Sequence, residues 1–113
     1  MTTLFKNRLQ SAVGTTEELV ISTSTNARAT ILGLSLTNLT ESVVLANVRV
    51  VNTTLTTPTN SAYYIKDVIV PPNQSLRVIN GGEKLVLGGD MEVYVSSNTD
   101  ASLDLVASYI EVV

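Results

Sequence analysis

From Glu17 onward the chain repeats one plan, a short run of alternating apolar and polar residues closed by a turn. In Arg28 to Leu39, RATILGLSLTNL, Leu32, Leu34 and Leu36 share one side and Gly33, Ser35 and Thr37 the other, the period of two that a half-buried strand requires. VVLANVRVV repeats the pattern, with Val44, Ala46, Val48 and Val50 on the apolar side and Asn47 and Arg49 facing away. Residues 61 to 97 then hold four short runs separated by Pro71-Pro72-Asn73, Asn80-Gly81-Gly82 and Gly88-Gly89-Asp90. Glycine and asparagine reach positive φ there, and proline cannot extend a central ladder. Adding the run Glu17 to Thr23 and the terminal SLDLVASYIEVV, about eight strands with short connections are predicted, and no internal helix. Burying one face of each takes two packed sheets. The predicted fold is an all-β antiparallel sandwich of about eight strands, jelly-roll or Greek-key in type, over residues 17–113.

Three segments depart from the plan. Residues 1–16 alternate weakly, with Leu4, Phe5, Leu9 and Val13 loosely spaced and a Gly14-Thr15-Thr16 turn at the end. They read as a short N-terminal arm, either a helical turn or two or an extended segment, anchored by the single Phe. Residues 52–60, NTTLTTPTN, form the longest polar loop, with Leu55 as its one large apolar residue, and are expected to be mobile unless a partner holds them. In the last strand Leu103, Leu105, Ala107 and Tyr109 alternate with Asp104, Val106, Ser108, Ile110 and Val112, so both faces become apolar beyond Asp104. A strand apolar on both sides is usually covered on both sides. Either the N-terminal segment folds over it or another subunit does. Leu4, Phe5, Leu9, Leu55, Val106, Ile110 and Val112 are therefore the candidate interface residues.

Composition narrows the chemistry. One domain fits in 113 residues, and 44% hydrophobic against 4% aromatic residues means a core of Val, Leu, Ile and Ala. About a quarter of the residues are Ser or Thr, giving a weakly charged surface that packs cheaply against neighbours. A net charge of -3, with seven basic residues scattered singly, argues against a nucleic-acid partner. No run approaches a membrane span and no apolar segment follows Lys6 and Arg8 as a signal peptide would demand, so a soluble, unprocessed chain is expected. Without His or Cys, Ser-His-Asp and Cys-His catalysis and ordinary zinc sites are impossible. Carboxylate pairs remain, but the acidic residues fall in turns and at outward strand positions, the ordinary place of solvated charge. The glycine pairs match neither a Walker loop nor GxGxxG, and Asp90 with Glu92 lacks a calcium-loop pattern. No cofactor, metal site or catalytic residue is expected. Tyr63 and Tyr64 are candidate platforms for a sugar, although alternation leaves only one ring facing outward.

The whole-chain order resembles a family of small β-sandwich structural proteins from tailed bacteriophages, particularly of marine and cyanobacterial hosts. The resemblance lies in NARATILGLSLTNLT, the alternating Val strand, YYIKDVIVPPNQSLRVINGGEKLVLGGD and the acidic-apolar last strand, with residues 65 to 90 the most specific part. It implies a non-enzymatic virion component made in the host cytoplasm, a capsid decoration protein or a neck or tail subunit. Its partners would be copies of itself, with a trimer as the expected form, and the major capsid protein or neck and tail proteins. The alternative is a receptor- or carbohydrate-binding module of a fibre or baseplate, displaying the 52–60 loop and one of Tyr63 or Tyr64.

Overall fold

A computed structural model describes residues 1–80 and 82–113. The described chain is all strand, turn and loop. Nine strands follow in order: β1 (Thr3–Val13), β2 (Glu18–Ser22), β3 (Arg28–Asn38), β4 (Val44–Asn52), β5 (Ser61–Val70), β6 (Ser75–Ile79), β7 (Leu85–Leu87), β8 (Met91–Ser97) and β9 (Leu103–Val112). All pairings are antiparallel. Sheet A has the order β1-β9-β3-β6, with β7 also on β3, and sheet B the order β2-β8-β4-β5. Here β6 takes the Leu34–Thr37 stretch of β3 and β7 takes Ala29–Ile31, so the two short strands share one place in the sheet. Nine segments thus fill eight positions. First pairs with last, second with second-last, third with the β6/β7 pair, and fourth with fifth. That nested order across two sheets is a jelly roll.

The core lies between the sheets and is built from the inward residue of each alternating pair. Sheet A supplies Ile31, Leu34, Leu36, Leu103, Leu105 and Ala107, and sheet B supplies Val44, Ala46, Val48, Val93 and Val95, all buried. β4 keeps the expected row, with Val50 packed on the core and Asn47 and Arg49 on the other side. The row expected in β3 changes phase. Ile31 and Leu34 are both buried while Leu32 and Gly33 between them are partly exposed, because the register with β9 shifts between Ile31 and Gly33. Such a bulge adds one residue and moves everything before it to the opposite face. Leu32 therefore leaves the side of Leu34 and Leu36.

The turns also work differently from expectation. Among the described residues no glycine has positive φ; Asn73 (55°) and Asp90 (58°) take the left-handed positions instead. Gly81 lies outside the described residues. Gly89 is required by close approach, since a Cβ there would collide with the Thr25 carbonyl in the β2–β3 turn. The two sheets are joined at one end by a buried amide. Asn38, 1% exposed at the end of β3, donates to the carbonyls of Ser42 (2.8 Å) and Val70 (3.0 Å) and accepts from the Thr40 amide and hydroxyl (both 2.8 Å). Every hydrogen-bonding site on the side chain is used.

Asn38→Ala should strand the Val70 carbonyl and cost about 2 kcal/mol or more. The check is a urea titration, in which the midpoint drops at unchanged slope; a change within about 0.5 kcal/mol would contradict the role assigned here.

Candidate interaction surface

The segment expected as an arm is an edge strand. Residues 3–13 form β1, paired with β9 of the same chain from Thr3↔Val112 to Gln10↔Leu105. The sandwich therefore starts at residue 3 and not at 17. The reason the alternation was weak is visible in the burial: of eleven residues only Val13 is buried. With neither face pressed on a core, nothing imposes a period of two. β1 lies beside β9 and does not cover its outer face.

The register fixes what that outer face carries. Residues directly opposite each other share a face, so Phe5 stands by Ile110, Asn7 by Ser108, Leu9 by Val106 and Thr3 by Val112. Continuing across β3, the row through Ile110 runs to Thr30 and then Val86, and the row through Val106 runs to Ser35 and Arg77. Phe5 is 82% exposed, Leu9 70% and Val86 67%. Five of the seven candidate interface residues, Phe5, Leu9, Val106, Ile110 and Val112, thus come together on the outer face of sheet A. Leu4 sits opposite Glu111 on the other side of β1. Leu55 lies in the β4–β5 loop, bordering a shallow depression with Val50, Ala62 and Met91. Val86 was missed by sequence reasoning. The signal was present, because the middle of Leu85-Val86-Leu87 must face away from a core that takes the outer two.

The bulge in β3 shapes the centre of the face. It leaves a shallow hollow of ≈ 260 Å³ bordered by Leu32, Ser35, Arg77, Asn80, Val106 and Ser108. The guanidinium groups of Arg28, at one end of the face, and Arg77, at the hollow, make no hydrogen bond or ion pair among the described residues. Asp104 stands at the opposite end from Arg28, its carboxylate accepting from the Ala12 amide (3.0 Å).

The outer face of sheet B is of another kind. Its central row runs Tyr63, Arg49, Tyr94, Leu19. Arg49 makes a two-pronged pair with Glu17, Nε to Oε2 and a second nitrogen to Oε1, both 2.8 Å, and its guanidinium lies 5.0 Å from the Tyr94 ring centre. The Arg49 guanidinium holds the Glu17 carboxyl below the usual carboxylate range. Tyr94 donates to Glu92 (2.9 Å), and that hydrogen bond pushes its phenol up. Of the two candidate sugar platforms, Tyr63 faces outward with the Lys66 ammonium 4.7 Å from its ring centre. Tyr64 packs partly on the core and donates to Glu83, which raises its pKa. Three further carboxylates are engaged as structural acceptors: Glu111 with Lys6 (2.6 Å), Asp90 with Thr25 (2.9 Å) and Asp100 with Thr15 (3.2 Å). The polar 52–60 loop is closed on itself and on Asp90. Asn52 and Asn60 are bonded through their backbones (2.7 Å), and the Thr53 amide and hydroxyl both donate to the Asp90 carbonyl (2.9 Å each).

Fold and surface together define a jelly-roll module with one mixed outer face, whose charges are paired within the chain beside exposed Leu19 and Ile69, and one more continuously apolar outer face. No protein-family model and no curated protein matches the chain. Among solved structures, a chain from Bacillus, described under "Bacillus endospore appendages form a novel family of disulfide-linked pili", is similar over 97% of this chain and 87% of its own. The TM-score is 0.49 and the identity 12%. Disulfide linkage has no counterpart here, since this chain contains no cysteine.

The Glu17–Arg49 pair carries a pH signature. A carboxylate depressed in the folded state stabilises fully above its unfolded value of 4.5, and the contribution disappears as the pH falls through the lower folded value. Arg49→Ala should therefore cost less than about 1 kcal/mol at neutral pH, the pair being half-exposed, and should flatten the loss of stability below pH 4.5. Urea midpoints measured from pH 7 to pH 3 check this; parallel curves for the two proteins would refute it.

Proposed function

We propose that this chain is a non-enzymatic structural subunit of a tailed-phage virion, which self-associates through the outer face of sheet A and binds the capsid surface, or the neck or tail, as a small oligomer. The observation that carries it is the gathering of Phe5, Leu9, Val86 and Val106, all exposed, with the partly exposed Ile110 and Val112 on one outward face. Contiguous apolar surface of this kind marks interaction sites. A second copy is a fitting occupant because the face carries Arg28 at one end and Asp104 at the other. Two copies related by an axis running across the strands bring each Arg28 toward the partner's Asp104 end, with the apolar rows between. Jelly rolls serve as viral capsid domains, which agrees with the sequence resemblance at the level of architecture only.

The receptor- or sugar-binding reading has one observation in its favour, the exposed ring of Tyr63. Lys66 already occupies that ring, so the platform is not open, and glycan-array binding lost in Tyr63→Ala would be needed to restore this reading.

Phe5→Asp with Leu9→Asp tests the assembly directly. Both side chains are exposed and outside the core, so the variant should fold, with an unchanged circular dichroism spectrum. Light scattering should fall from an oligomer to the 12.1 kDa monomer; an unchanged mass would overturn the assignment of the face. Mass spectrometry of purified virions with copy counting decides the station, hundreds of copies meaning decoration and about a dozen meaning neck or tail, and absence from virions refuting the virion role.

A further inference from the structure

We infer that β1 is an exchangeable strand, which leaves its own β9 and pairs with the β9 of a second copy when copies are held side by side. The inference rests on the oligomeric reading above, and concerns how copies are linked at their β1 edges, a contact separate from the face-to-face pair. Eleven residues of β1 put only Val13 into the core. What holds residues 3–10 is the backbone ladder to β9, the Lys6–Glu111 pair, the Ser108–Asn7 hydrogen bond (3.2 Å) and the contacts of Arg8 with Gln10 (2.7 Å) and the Leu19 carbonyl (3.4 Å). Apart from the bond within β1, from Arg8 to Gln10, each can be made to another copy in the same register, so exchange replaces like with like and leaves the core intact.

The strand is also articulated at the right place. The ladder breaks between Gln10 and Val13, and Ala12 sits in the left-handed region at φ 54°, disfavoured for a residue with a Cβ. Beyond the break the chain is anchored: the Val13 carbonyl accepts from Ser102 and the Gly14 carbonyl from Ser97, both 2.9 Å. Ala12 is therefore a pivot between a fixed Val13 and a detachable 3–10. Fully extended, those eight residues span about 26–29 Å, enough to run along a neighbour's β9. In trans, Phe5 and Leu9 come to lie across the junction between two copies of the face.

Against exchange stands the tether, which keeps β1 near its own β9 at an effective concentration on the order of millimolar or above. The intramolecular form prevails in dilute solution and the exchanged form where copies crowd together, as on an assembled particle.

The cysteine-free chain gives a clean test. Asn7 and Ser108 are directly opposite across the ladder. N7C and S108C chains are mixed in equal amounts at about 1 µM and about 1 mM, where the upper figure matches the tether, and oxidised in a glutathione buffer. Exchange requires N7C–S108C dimers to rise from the statistical half toward nearly all dimers at the high concentration and not at the low one. The double variant N7C/S108C, oxidised while dilute, should lock β1 in its own chain and form no exchanged species on concentration. Cross-links at the statistical ratio would overturn the exchange. If the mass by light scattering is then still oligomeric and still falls with Phe5→Asp and Leu9→Asp, the assembly reading survives alone; a monomer at every concentration ends both.

Discussion

The position of β9 is the constraint on which the rest of this molecule depends. The last strand enters sheet A between β1 and β3 and pairs along nearly its whole length with both. Its inward residues Leu103, Leu105 and Ala107 fill the core opposite sheet B, and its outward residues Val106, Ile110 and Val112 form the spine of the apolar face. Its polar residues serve the edge strand: Glu111 takes Lys6, Ser108 takes Asn7, and Asp104 takes the Ala12 amide. Core, surface and edge are thus three uses of one alternating decapeptide, and a shift of one residue in its register would exchange the first two.

The two outer faces differ in how their polar groups are treated. On sheet B the charges are matched within the chain, Arg49 between Glu17 and Tyr94 and Lys66 over Tyr63. Bringing a partner there would mean desolvating groups that already have partners, with little new to offer them. On sheet A the outer face carries Phe5 and aliphatic side chains, short hydroxyls, the Asn7 amide, Asp104 at one end and two arginines without counterions among the described residues. Water leaves such a surface readily, and the arginines gain by leaving it for a carboxylate. The same asymmetry explains why β1 tolerates being an edge: the charges of Lys6 and Arg8 point to the inner side, a known defence against indiscriminate strand pairing.

Much of this was legible in the residues, and the failures share a cause. Alternation identifies strands only where one face is pressed on a core, so β4 shows its inward row in the sequence while β1, buried at Val13 alone, reads as an arm. The bulge at Leu32 and Gly33 could not be seen because the sequence there alternates without interruption; the extra residue is visible only against its partner strand. For the apolar face, period two places Val106, Ile110 and Val112 on one side of the last strand, and the loose apolar spacing near the start picks out Phe5 and Leu9. Their meeting depends on pairing residue 5 with residue 110, a contact of long sequence separation that no local pattern encodes.

That separation sets the order of events during biosynthesis. At ribosomal rates of 5–20 residues per second, roughly 5–20 s pass between the making of β1 and of β9, and through that interval β1 has no strand to join. Sheet B can form from residues 18–97 beforehand, but the apolar face does not exist until β9 has been released and inserted. A chain cut short of residue 103 consequently lacks the apolar face altogether, however completely sheet B has formed.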